Sequence, residues 1–173
     1  MRKVVGMIVL MCVFGLQNGC EISDEPIPGA TSKRNQQTGP PAHAANARGN
    51  LRFEKTFDEG ARLAVETNRP MLLFFTAEWC HFCHQLAQEA FTDAEVTLLS
   101  QRFVCVMIDA DSQPEICRKF HVQSFPTIQF VTPGGHVLSR VTGKRPGPEI
   151  VQAMQQALQS AARMAQQSSP TLY

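Results

Sequence analysis

The sequence predicts an α/β protein with a mixed central β-sheet flanked by helices on both faces. Two apolar runs, "MLLFFTA" at 71–77 and "FVCVMIDA" at 103–110, carry almost no polar interruption, which marks strands buried on both faces. Between and after them, apolar residues recur at helical spacing. Near the end, "TIQFVT" and "HVLSRVT" flank Pro133-Gly134-Gly135, the mark of a hairpin. Parallel crossovers followed by a hairpin give the mixed sheet.

Taken in order, Phe53, Phe57, Ala61, Leu63, Ala64 and Val65 predict a first helix, stopped by Asn68 and Pro70. The first strand follows at 71–77. Phe82, Leu86, Ala90 and Phe91 then predict a helix from Cys80 to about Leu99, so Cys80 stands at a strand-to-helix junction. The second strand, a short helix at 114–120 and the hairpin come next. A last helix starts near Pro148 and carries Ile150, Val151, Met154, Leu158 and Ala161 on one face. The order read is α-β-α-β-α-β-β-α.

The chain has 173 residues, 43% of them hydrophobic, which suffices for one packed core. Its net charge of +1, with basic residues scattered, argues against a nucleic-acid surface. Arg2 and Lys3 precede an apolar run from Val4 to Leu16, too short to span a bilayer but matching an export signal. Cys20 follows Gly19 as in bacterial lipoproteins, although Gln17 stands where Leu is preferred; ordinary cleavage would find small residues only loosely around Ala30. The expectation is a lipoprotein-type signal over 1–20 with Cys20 the lipidation candidate. Residues 21–50, poor in large apolar side chains, are expected to be a flexible linker reaching about 30 Å. The domain is expected over 51–165 and a polar tail over 166–173. The protein is thus expected to be exported, periplasmic or membrane-anchored, in a bacterium, where disulfide chemistry is permitted.

"EWCHFCH", residues 78–84, admits three chemistries. Cys80 and Cys83 could be a dithiol redox pair, C-x-x-C-H with His84 is the pattern of c-type haem attachment, and the cluster could be part of a zinc site. Zinc needs four ligands in a structural site, and Cys80, Cys83 and His84 supply three at most. No metal is assigned.

The chain resembles thioredoxin-fold proteins over about residues 53–162. The resemblance rests on "AEWC" with Cys83, on "FPT" at 125–127 with the hairpin behind it, and on the element order; "FTDAEV" at 91–96 is similar to the exported thioredoxin-like domains. It implies a thioredoxin fold, a Cys80/Cys83 redox disulfide, and a cis Pro126 lying against the pair, with Phe125 offering backbone hydrogen bonds to a peptide. It also implies thiol-disulfide exchange with protein thiols or disulfides, with Trp79, Phe125 and Pro126 as docking surface. Cys80, at a helix start, gains from unpaired N–H groups and the helix dipole and is the candidate nucleophile; Cys83, one turn on, is suited to resolve the mixed disulfide. His81 between them could carry charge near neutral pH and make the pair more oxidising, or could do nothing. Phe82 is exposed apolar area beside the pair. No bound cofactor is needed, and without a nucleotide-binding fingerprint the electrons must pass to or from another protein, expected to be a membrane redox partner.

The chain departs from thioredoxins where their buried Asp and nearby Lys stand, since Phe74 and Cys105 occupy those positions, and Gln88 replaces the helix proline. Glu78 or water would then have to deprotonate Cys83. Cys105 and Cys117 read as buried free thiols, a second disulfide being the lesser alternative. Two alternative functions remain: a c-type haem electron carrier, for which a thioredoxin fold leaves no pocket, and a non-catalytic peptide-binding module, against which both cysteines argue. Asp109 and Asp111 read as turn residues, Met107 and Met154 as core, His121 and His136 as surface, His84 as a solvated helix residue, and Lys144 with Arg145 as a solvated loop.

Overall fold

The computed structural model describes residues 47–167. The export signal, Cys20, the linker up to residue 46 and the last six residues of the tail lie outside the described residues. Residues 47–52 form a small antiparallel ribbon, β1 (Ala47–Arg48) and β2 (Leu51–Arg52), joined by a turn at Gly49 with φ +57°. A Cβ at Gly49 would stand 2.5 Å from the carbonyl oxygen of Ala87, so only glycine fits there. The ribbon lies partly in the stretch expected to be linker up to residue 50, and its two-residue strands are too short to leave an alternating pattern.

The main elements are α1 (Phe57–Thr67), β3 (Met71–Thr76), α2 (His81–Glu89), α3 (Ala94–Ser100), β4 (Val104–Asp109), α4 (Pro114–Lys119), β5 (Thr127–Val131), β6 (Val137–Thr142) and α5 (Gly147–Gln167). The four-stranded sheet has the order β4-β3-β5-β6. β3 pairs parallel with β4 and antiparallel with β5, and β5 pairs antiparallel with β6. The sheet is therefore mixed, as the sequence predicts, with a single parallel crossover rather than several. Glu54 adds a parallel bridge outside β4, its N–H donating to Cys105 O at 2.8 Å.

Period-two alternation divides β3 between two cores. Leu72 and Phe74 face a cluster built with α2, α3 and α5, while Leu73 and Phe75 face one built with α1 and α4. All six residues of β3 are buried, which is why the run reads as uniformly apolar. α1 starts at Thr56, whose hydroxyl accepts from Glu59 N–H, and ends at Asn68, a left-handed cap at φ 50°. Phe53, read as the first helical residue, instead precedes α1 and packs its ring 5.9 Å from Phe74.

The stretch read as one helix from Cys80 to Leu99 is two. α2 ends at Glu89, Phe91 turns fully into the core, and Asp93 starts α3 by accepting from Glu95 and Val96 N–H at 2.8 and 3.1 Å. At the far end, α5 continues through Gln167, two residues into the stretch read as tail.

Gly60 marks the closest approach of α1 to the sheet: a Cβ there would lie 2.2 Å from a methyl carbon of Val106, a fully buried strand residue with little room to turn. Gly60→Ala is expected to lower stability by about 2 kcal/mol despite its better helix propensity, read as a shift in urea midpoint. An unchanged midpoint would mean that α1 can slide on β4.

Candidate active site

The parallel strand pair delivers the chain to the site. β3 ends at Thr76, and the turn through Ala77, Glu78 and Trp79 brings Cys80 to the N-cap of α2, with Cys80 N–H donating to Ala77 O at 3.0 Å. Cys83 lies one turn inward, and the two sulfurs form a disulfide with Cα atoms 5.3 Å apart. Cys83 N–H points at Cys80 Sγ, 3.2 Å away, and α2 aims the positive end of its dipole at the same atom. Once the disulfide is reduced, both effects favour thiolate at Cys80. The two cysteines are 5% and 2% exposed, so helix position rather than exposure distinguishes them.

Around this buried pair the surface is apolar and open. Trp79 is 69% exposed and Phe82 59%. The Trp79 ring meets Phe125 edge-on with centroids 6.0 Å apart, and its Nε1–H donates to Asp111 Oδ1 at 3.4 Å. The Phe125–Pro126 peptide is cis. The segment leading to it is held at its start, where the Phe120 carbonyl accepts from Gln129 Nε2 at 3.0 Å and Arg140 Nη2 at 2.8 Å.

Three residues read as bland take part in this architecture. Asp111 anchors the Trp79 indole, and Asp109 shapes the turn that presents it by accepting from Asp111 and Ser112 N–H, each at 3.0 Å. The end of β4 necessarily lies beside the end of its parallel partner β3, so strand register would have pointed to Asp111. His84 Nε2 meets the Glu78 carbonyl at 2.9 Å, tying α2 to the preceding turn. Glu78 contributes that carbonyl, while its exposed side chain makes no bond to Cys83.

The haem pattern is not assembled as a ligand set: each sulfur is bonded to the other, and the His84 Nε2 that would face iron is turned to Glu78. Cys105 and Cys117 are free and buried, and they do not pair. Burial pushes the Cys105 thiol up to about 12, against the pull of Arg69 and with a further push from Glu54. Burial, then the charges of Asp109 and Glu115, raise Cys117 too. Neither supplies a competing thiolate. Phe74, at the position of the buried acid in the resemblance, is 1% exposed within the cluster that holds Cys83.

Comparison with known proteins agrees with this geometry. The thioredoxin-like domain pattern matches residues 57–158. A protein disulfide isomerase-like protein of Arabidopsis thaliana is 36% identical over 87 residues, 50% of this chain and 14% of its own length. The thiol:disulfide interchange protein DsbD of Ralstonia nicotianae is 31% identical over 109 residues, 60% of this chain and 18% of its own length. This chain thus spans less than a fifth of either relative. The solution structure of a thioredoxin from Thermus thermophilus superposes with a TM-score of 0.59 at 26% identity, covering 64% of this chain and 90% of that one. With the family pattern spanning more than half its residues, the chain belongs to the thioredoxin-like domain family.

Proposed function

We propose that the protein is an exported thiol-disulfide oxidoreductase that reduces disulfides in other exported proteins. The observation that carries the reading is the Cys80–Cys83 disulfide at the N-terminus of α2, buried beside the exposed Trp79 and Phe82, with the half-buried Phe125 against the Trp79 ring. Cys80 thiolate attacks a substrate disulfide, forming a mixed disulfide and expelling one substrate thiolate. Cys83, losing its proton, attacks Cys80 Sγ, closes the Cys80–Cys83 disulfide and expels the second thiolate. Two electrons thus pass to the substrate, whose thiolates take up the protons. A second dithiol protein restores the reduced pair, and its place in the membrane fits a chain tethered through a lipidated Cys20. Trp79, Phe125 and the cis Pro126 dock the extended substrate segment.

The test is insulin reduction fed by dithiothreitol, together with the equilibrium potential of the pair in glutathione buffers. Acceleration several-fold over dithiothreitol alone and a potential near about −270 mV are expected. No acceleration would overturn the oxidoreductase reading, and a potential near about −120 mV would reverse its direction, making the protein a donor of disulfides.

A further inference from the structure

The surface of α2 carries a row of polar side chains that neither the exchange chemistry nor the packing requires. His81, Gln85 and Glu89 stand one helical turn apart. Lys144, from the loop between β6 and α5, closes the far end of the row. Its Nζ donates to Gln85 Oε1 at 3.3 Å and to Glu89 Oε1 at 2.8 Å. At the other end Gln85 Nε2 stands 3.0 Å from His81 Nε2.

The cation sets the polarity of the whole row. An ammonium only donates, so the Gln85 amide must turn its oxygen to Lys144. That leaves its NH2 group, also only a donor, facing His81. His81 Nε2 must then accept, and the imidazole proton sits on Nδ1.

We propose that Lys144, acting through Gln85, is a positioning residue that holds the imidazole of His81 in its Nδ1–H form and so keeps the Cys80–Cys83 pair on the reducing side. The inference rests on the oxidoreductase reading and supplies a reason for its direction. A proton arriving at Nε2 meets the amide hydrogens. Accepting it costs the row either the Gln85–His81 contact or, if the amide turns over, the Gln85–Lys144 contact. In the Nδ1–H form the residue between the two cysteines carries no positive charge of the kind that would stabilise the thiolate and make the pair more oxidising. The other titratable groups on the elements around His81 are Glu78 in the preceding turn, His84 and Glu89 on α2, the last paired with Lys144, and Cys80 itself once reduced; the Phe82 ring stands with its centroid 5.9 Å away.

The test compares wild type with Lys144→Met, Lys144→Arg and Gln85→Leu. Imidazole 15N resonances in the oxidised proteins are expected to place the His81 proton on Nδ1 in wild type and Lys144→Arg, and to move it toward Nε2 in the other two. In glutathione buffers at pH 6, Lys144→Met should shift the equilibrium about threefold toward the reduced protein. That is about 14 mV at about 30 mV per tenfold, and it should vanish at pH 8. If Lys144 acted only as a nearby charge, its loss would shift the equilibrium the other way, at both pH values. That result, a wild-type His81 with its proton on Nε2, or a tautomer unmoved by Lys144→Met would each overturn the proposal. If the pair exchanges with no thiol at all, the oxidoreductase reading fails, while the resonances still decide the row.

Discussion

Cys80→Ala is expected to abolish insulin reduction, leaving only the dithiothreitol background, and Cys83→Ser to abolish turnover while trapping substrate on the protein. The asymmetry follows from the start of α2. Cys80 caps the helix, receives the Cys83 N–H at 3.2 Å and sits where the dipole is most positive. Cys83 lies one turn inside the helix, away from the terminal N–H and the positive end of the dipole, so Cys80 is expected to be the thiolate that meets the substrate disulfide first. Cys83→Ser should therefore carry the substrate as a covalent adduct, visible as a mass increase on a non-reducing gel and released by reductant. Cys80→Ala should show no such adduct. An adduct on Cys80→Ala, or insulin reduction by it, would assign the nucleophile to Cys83 and remove the helix terminus from the argument.

How far the sequence was legible depended on whether a feature is local. The buried strands were readable because burial on both faces leaves a continuous apolar run, as in β3 and β4. The cysteine pair was readable from its spacing. The break between α2 and α3 was not, because it contains neither Pro nor Gly. Phe91 stays apolar whether it lies on a helix face or turns into the core, and Asp93 reads equally well inside "FTDAEV" as a family mark or as a cap. Phe53 was misplaced for the same reason, since its apolar spacing fits a helix that in fact begins four residues later. The contacts of Asp111, His84 and Lys144 depend on which residues face one another across elements, and no periodicity within one element encodes that.

The position where thioredoxins carry a buried acid is where a second large effect is expected: Phe74→Asp should cost about 4 kcal/mol or more of stability. Phe74 is 1% exposed, and its ring packs edge-on against Phe91 at 5.0 Å and against Phe53 at 5.9 Å. Removing such a ring costs about 3–5 kcal/mol through lost burial and the cavity it leaves. A carboxyl group in the same space adds the expense of burying a polar group between Phe53 and Phe91, neither of which donates a hydrogen bond from its side chain. Against a total stability of about 5–15 kcal/mol, the variant is expected to be marginal, with a urea midpoint far below that of Phe74→Leu, which keeps an apolar side chain and should lose only about 1–1.5 kcal/mol. The acid cannot then be restored by one substitution, because aromatic rings have filled its site. The Glu78 side chain makes no hydrogen bond to Cys83 either, so under the proposed mechanism the proton of the resolving thiol is expected to leave through solvent or to the first thiolate expelled from the substrate. A Phe74→Asp protein within about 1 kcal/mol of wild type would overturn this account and would mean that the core beneath the disulfide has room for a base.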